Sequence, residues 1–459
     1  MLTRLRLQNF KSWADTQDIP LKPITAFFGP NSSGKTSLLQ ALLLLKQTAD
    51  SSDRGLVFHF GNKNTPVELG DFESVVHKHD TDKALEISLD WKLPSSLKIT
   101  DTNTNQSIVE SKDIGFTVAT HAAAEKLRKP LLVDEMSYLV GNSKFGMRPK
   151  GNKYELFSSG ANGEGFEFTR SRGRPWDIPS PDKCYGFPDA VRAYFQNAGF
   201  LADLQLALEE RLENLYYLGP LRAYPERRYS WSGAQPIDMG QTGESVVDAI
   251  LASRERGEKI GRGRGKPRLT VEQYVAHWLK ELGLIHDFRI EPLAQDSPVF
   301  EVRIRKSRNS SEVLITDVGF GVSQILPVLV LCLYAPPGST VILEQPEIHL
   351  HPAVQAGLAD ILIETWKNKN RRVQILIESH SEHLLRRLQR RIAESHMDIT
   401  DNDVRLFFCE MSSGRSRITA LDLDMFGNIN NWPQDFFGNQ FGEIAATSRA
   451  ALDKHLVAS

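Results

Sequence analysis

Leu2 to Phe10 alternates apolar and polar side chains, the period of a half-buried strand. Ile24 to Phe28 is a continuous apolar run that stops at Gly29 and Pro30, and the pattern from Lys35 to Thr48 then predicts a helix. The stretch from about Phe60 to Leu215 reads differently. It mixes short alternating pieces (ALEISLDWKL) with turn-rich DTNTNQS, SSGANGEG and RSRGRPWDIPSPDK, which predicts an irregular α+β insertion. After YLGPLRAYPERR, at Tyr217 to Arg228, helical segments (ESVVDAILASRER, VEQYVAHWLKELG) precede strand-like FRIEPLA, VFEVRIRK and EVLITDVG. The apolar helix ILPVLVLCLY follows, and then Thr340 to Leu343 and Gln374 to Ile377 read as buried strands with a helix between them. This alternation predicts an α/β fold with a mostly parallel sheet covered by helices. No heptad pattern persists, so no long coiled coil is expected. The first and last thirds are expected to build one head, divided as 1–76 and 216–395, with 77–215 the insertion and 396–459 a C-terminal domain.

Composition narrows the partners. With 55 Lys+Arg against 57 Asp+Glu, the net charge of −2 across 459 residues supplies no global field for a polyanion, so any such site must be local. Cys184, Cys332 and Cys409 lie far apart, which argues against a disulfide framework or a cysteine zinc site. The start, MLTRLRLQNFKSW, lacks an apolar signal region, and Ile325 to Ala335 is too short to span a bilayer, so a cytoplasmic protein with no membrane partner is expected.

Gly29-Pro30-Asn31-Ser32-Ser33-Gly34-Lys35-Thr36 fits G-x-x-x-x-G-K-S/T between a strand and a helix. In that pattern the backbone N–H groups face phosphate, Lys35 reaches the β- and γ-phosphates, and the Thr36 hydroxyl helps hold Mg²⁺, with Ser37 adjoining. Three elements follow in the last third: the Gly319-Phe320-Gly321-Val322-Ser323-Gln324 turn, TVILEQPEIHLHP ending an apolar strand in acids, and QILIESHSEHLL ending another at His380. Ser323 and Glu344 are 21 positions apart, and Glu344 and His380 are 36 apart.

Together the three resemble the signature, Walker B with D-loop, and switch histidine of ABC-type ATPase heads. LRLQNFKSW and the G-x-G-x-S-Q turn make the chain similar to the SMC/RecF/OLD branch rather than to a transporter subunit. Within it the chain resembles AAA15/AAA21-like ATPases with an uncharacterised C-terminal domain, here DMFGNINNWPQDFFGNQFGEI, many of which belong to anti-phage defence operons beside a separate effector. The resemblance implies ATP and Mg²⁺ as cofactors. It places Lys11 near the nucleotide with Gly29 to Ser37, and gives Gly321, Ser323 and Gln324 to the ATP of a second copy, so that a complete site needs a homodimer or larger homo-oligomer. Glu344 stands where the Walker B acid holds Mg²⁺ through a water, and Gln345 where the general base usually sits. A glutamine orients water but accepts no proton, so slow turnover is expected. Glu347 is either a replacement base or a packed strand-end acid, and His380 is expected at the γ-phosphate.

The Arg254–Arg268 segment carries Arg254, Arg256, Lys259, Arg262, Arg264, Lys266 and Arg268, which reads either as a solvated loop or as a phosphate-backbone contact. Arg222, Arg227 and Arg228 are expected to meet either a polyanion or the acidic strand ends. The tail aromatics Trp432, Phe436, Phe437 and Phe441 are expected to bury against the head. Asp422 and Asp424 imitate a nuclease D-x-D but are expected to be structural, since too few residues follow His380 for a complete nuclease domain of that kind. The expected function is an ATPase that assembles and gates a defence complex with a separate, nuclease-like effector. The alternatives are a RecF-like DNA-binding ATPase of repair and an ATP-dependent scaffold outside defence.

Overall fold

The computed structural model describes residues 1–123, 130–160, 165–173, 176–262, 265–433, 436, 442, 445–451 and 454. The chain opens with β1 (Leu2–Phe10), β2 (Trp13–Asp15), β3 (Ile19–Pro20) and β4 (Ile24–Phe28), followed by α1 (Lys35–Asp50) and the short α2 (Phe72–Val75). Five strands come next: β5 (Leu85–Thr100), β6 (Ser107–Ala122), β7 (Leu131–Val140), β8 (Ser143–Lys150) and β9 (Lys153–Ser159). Helices α3 (Asp189–Tyr194) and α4 (Leu201–Glu213) lead to β10 (Leu215–Leu218) and β11 (Tyr229–Ser230). Then follow α5 (Val246–Glu255), α6 (Val271–Glu281), β12 (Asp287–Pro292), β13 (Val299–Arg305), β14 (Glu312–Leu314) and α7 (Gly321–Tyr334). The last part runs β15 (Thr340–Glu344), α8 (Pro352–Lys367), β16 (Gln374–Glu378), α9 (Glu382–Ala393), β17 (Val404–Ser412) and β18 (Arg415–Ala420).

One sheet has the order β10-β15-β16-β4-β17-β18, and every pairing in it is parallel except β17 with β18. Its strands are apolar on both faces because both are covered. Phe27, Ile342, Leu376 and Phe407 pack toward α1 and α4, whereas Ala26, Phe28, Leu343, Ile375, Ile377 and Phe408 pack toward α5 to α9. The expected α/β head with a mostly parallel sheet is thus the architecture found. Among the described residues there is no coiled-coil arm and no helix long and apolar enough to cross a membrane.

The middle of the chain is more regular than its sequence predicts. β5 to β9 form an antiparallel meander joined to β1 and β2, in the order β2-β1-β5-β6-β7-β8-β9. β5 and β6 each run 16 residues, and the β5 register breaks between Lys92 and Leu97, around Pro94. Proline has no N–H to donate, so the ladder bulges there and the run looks fragmented in sequence. Sheet membership also crosses the expected divisions. β1 pairs with β5 from beyond residue 76, and β17, from beyond residue 395, pairs in parallel with β4 over Val404 to Phe408.

A third, smaller sheet (β11-β13-β12, with β14 on β13) lies near the start of α7. Phe436 packs on Phe408 at 4.8 Å between ring centroids, and Trp432 packs on Phe436 at 5.1 Å, with Arg386 over the indole. Trp432 and Phe436 therefore lie against the head, as expected, while Phe437 and Phe441 fall outside the described residues. Asp424 accepts the Phe426 and Asn428 N–H groups and Asp422 accepts the Asn430 amide, so both acids close a turn of their own loop.

Candidate nucleotide-binding site

β4 ends at Phe28, buried in the middle of the parallel sheet, and the chain must turn sharply to enter α1. Gly29 takes φ 140°, and a Cβ there would collide with the Cys409 carbonyl oxygen of β17. Ser32 at φ 61° and Gly34 at φ 92° continue in left-handed conformation, so the backbone curls around the start of α1. Trp13 Nε1 donates to the Gly34 carbonyl at 3.0 Å and fixes the curl from the side of β2. Inside it, buried Lys35 donates to the Gly29 carbonyl at 3.1 Å and the Pro30 carbonyl at 2.8 Å. Burial lowers the Lys35 pKa, and Glu378, with Nζ 3.8 Å from its carboxylate, opposes that shift.

A cavity of about 490 Å³ opens on this curl, walled by Lys11, Ser12, Asn31 to Ser37, Gln345 and Glu378. The structure therefore brings together Lys11, the loop residues and Gln345 from regions more than 300 positions apart in the chain. Gln345 sits at φ 43° and donates its backbone N–H to the Glu378 carbonyl at 2.8 Å. The Thr36 hydroxyl donates to Glu378 Oε2 at 2.7 Å. Sequence reasoning passed over Glu378, although the apolar run QILIE ends in an acid as TVILE does.

Glu344 does not line the cavity. It is buried, its Oε1 has no hydrogen-bond partner, and its pKa is pushed up to about 8, first by burial and then by Glu378. The Tyr217 hydroxyl and Arg222 pull the other way. Of the two settings expected for Arg222 the structure has the second: it is buried, with Nη2 3.4 Å from the Glu344 carbonyl and Nε and Nη1 unpaired, so it faces the acidic strand end and offers no surface to a polyanion. Burial lowers the Arg222 pKa to about 10. Glu347 accepts the His380 backbone N–H at 2.6 Å, and its Oε2 is buried without a partner. Burial, then Lys35, lowers the His380 pKa, and the Gly29 backbone opposes that shift.

Gly321, Ser323 and Gln324 are not on the cavity wall. Ser323 is buried at the start of α7, and its hydroxyl donates to the Phe320 carbonyl at 2.8 Å instead of projecting outward as the sequence implies. Pro327, inside α7, has no N–H for the Ser323 carbonyl four residues back, so the first turn of the helix is incompletely bonded. Beside it Phe320 is exposed and packs edge-on against His349 at 5.3 Å and near Tyr224 at 5.8 Å.

Much of the basic segment is tied down. Arg254 pairs with Glu272, Arg256 with Glu258, and Arg262 with His277, while Lys259, Lys266 and Arg268 are exposed and Arg264 lies outside the described residues. Arg227 pairs with Asp317 at 2.9 Å and Arg228 approaches Glu301 at 3.9 Å.

The residues fit a magnesium–nucleotide. A left-handed curl turns into a helix N-terminus, a buried lysine sits within it, and a threonine hydroxyl lies against a carboxylate. Two further buried carboxylate oxygens, Glu344 Oε1 and Glu347 Oε2, are unpaired on the neighbouring segments. Residues 1–167 match the family described as AAA ATPase domain, and residues 182–386 match AAA domain, putative AbiEii toxin, Type IV TA system. Residues 399–446 match Protein of unknown function (DUF3696). The OLD nuclease of Thermus scotoductus is 49% identical over 45 residues, a stretch that is 10% of this chain and 8% of that protein's length. Among solved structures, an SMC head bound to the C-winged helix domain of ScpA is 12% identical, with 92% of this chain and 97% of that one covered and a TM-score of 0.43. The SMC head domain from Thermotoga maritima is 13% identical, with 92% and 99% covered and a TM-score of 0.39.

Proposed function

We propose that the chain, an ABC-type ATPase of the SMC/OLD branch, binds MgATP at Lys11 and Gly29 to Ser37 and completes the site only when the Gly321–Gln324 turn of a second copy closes on the triphosphate. The observation that carries this reading is the separation of the two halves: the cavity at the P-loop contains no residue of α7. When bound, Mg²⁺ supplies positive charge at the β- and γ-phosphates. Lys35 leaves the Gly29 and Pro30 carbonyls for phosphate oxygens, Thr36 and the strand-end acids hold the cation side, and Gln345 orients water. Because Gln345 takes no proton, hydrolysis is slow and ATP acts chiefly to join two heads.

The joined heads gate a complex with a separate effector protein in prokaryotic anti-phage defence. This is supported by the toxin–antitoxin description of the matched family and by the short match to a nuclease. A DNA-binding role in repair is the second reading, favoured only by exposed Lys259, Lys266 and Arg268. The test is equilibrium binding of a fluorescent ATP analogue. Wild type should bind, and Lys35→Ala should weaken binding on the order of 100-fold through loss of its charge-assisted contacts. Equal binding by both would refute the site.

A further inference from the structure

Three buried acids stand at the strand ends beside the P-loop, and their surroundings differ. β16 lies between β15 and β4, so Glu378 ends the strand next to the P-loop strand, and Glu344, its register partner, is one strand further away. Neighbouring strands are about 4.8 Å apart, so the two carboxylates start from different distances to the same cavity. Glu347 has one oxygen committed to the His380 backbone. Glu378 alone of the three lines the cavity, and it alone touches the P-loop helix, through Thr36 at 2.7 Å and Lys35 at 3.8 Å.

A threonine hydroxyl has one proton to give and two lone pairs to offer. With its proton held on Glu378, the Thr36 oxygen keeps its lone pairs for a cation and cannot turn to donate elsewhere. We infer that Glu378 is the positioning residue of the Mg²⁺ site, holding the Thr36 hydroxyl proton so that its oxygen faces the cation, with Glu344 a more remote acid behind it. Gln345 lines the same cavity and donates its backbone N–H to the Glu378 carbonyl at 2.8 Å, which links it to that arrangement. The register of β15, β16 and β4 is what sets the acid at position 378 beside Thr36.

The inference rests on the MgATP reading, and one experiment separates the two. Mg²⁺ is titrated against binding of a fluorescent ATP analogue, and Mn²⁺ occupancy is followed by electron paramagnetic resonance. Wild type, Glu378→Gln, Glu344→Gln, Thr36→Val and the Glu378→Gln/Thr36→Val pair are compared. Removing a residue that orients a metal ligand weakens metal affinity about 10–100-fold, so Glu378→Gln should raise the half-saturating Mg²⁺ by at least about tenfold and Glu344→Gln by less. In EDTA, Glu378→Gln should bind the nucleotide no more weakly than wild type, since the change removes a negative charge from the wall of an anion site, and because Glu378 acts through Thr36, the pair should be no worse than Thr36→Val alone. An unchanged Mg²⁺ requirement in Glu378→Gln, or an additive pair, would overturn the inference while leaving nucleotide binding standing. No nucleotide binding by wild type would overturn both.

Discussion

Under the MgATP reading proposed above, turnover depends on Gln345. Its backbone is held left-handed at φ 43° by its bond to the Glu378 carbonyl, and both residues line the same cavity. Gln345→Glu keeps the size of the side chain and adds a proton acceptor. It also sets two carboxylates side by side, which raises the affinity of one for a proton and moves it toward the working pH of a general base. Steady-state ATPase of that variant should exceed wild type by about tenfold or more. An unchanged rate would mean that the proton already goes elsewhere. Position 345 is marked in the sequence, because TVILEQPE resembles a Walker B strand end. Position 378 is not, since its contact joins Thr36 to a residue more than 300 positions away.

At the scale of elements, the ends of parallel strands gather acids in one low-dielectric place. Glu344 and Glu378 are directly paired in register, and the Tyr217 hydroxyl, near the end of β10, opposes the upward shift of Glu344. A carboxylate whose pKa rises from 4.5 unfolded to about 8 folded holds a proton more tightly in the folded state. Its contribution to stability is therefore present below pH 4.5 and is lost as pH rises toward 8. Without divalent cations, Glu344→Gln should match wild type in Tm near pH 5 and exceed it near pH 8.5 by roughly 3 °C. Thermal melts across pH decide this, and a constant difference would count against the buried-acid account.

The same strands show what could be read beforehand. Continuous apolar runs make β4, β15 and β16 visible because both sheet faces are covered. The meander β5 to β9 was hidden because its strands mix buried and exposed faces and bulge around Pro94. β17 was assigned beyond the head because nothing in its own pattern says which strand it will pair with.

For the whole molecule, the proposed division of the nucleotide site between two copies would require assembly. The α7 turn lies outside the P-loop cavity, yet Phe320, Tyr224 and Leu221 leave an apolar rim exposed beside it. Ser323→Arg inserts a bulky cation at that turn without touching the cavity. Nucleotide binding should remain within about twofold of wild type, and the ATP-dependent doubling of mass should disappear, because only the facing copy uses the turn. Light scattering with a slowly hydrolysed analogue reads both wild type and variant. Persistent doubling in Ser323→Arg would place the contact between copies elsewhere.

The P-loop is also pinched from two directions. Trp13 holds Gly34, Ser416 donates to Ser12 at 2.7 Å, and the Cys409 carbonyl lies where any side chain on Gly29 would go. The two clamps come from opposite extremities of the polypeptide. A piece lacking either clamp is then expected to lose the shape of the loop: a protein cut at 395 would shed one jaw of the vice, and trimming the first 15 residues would shed the other.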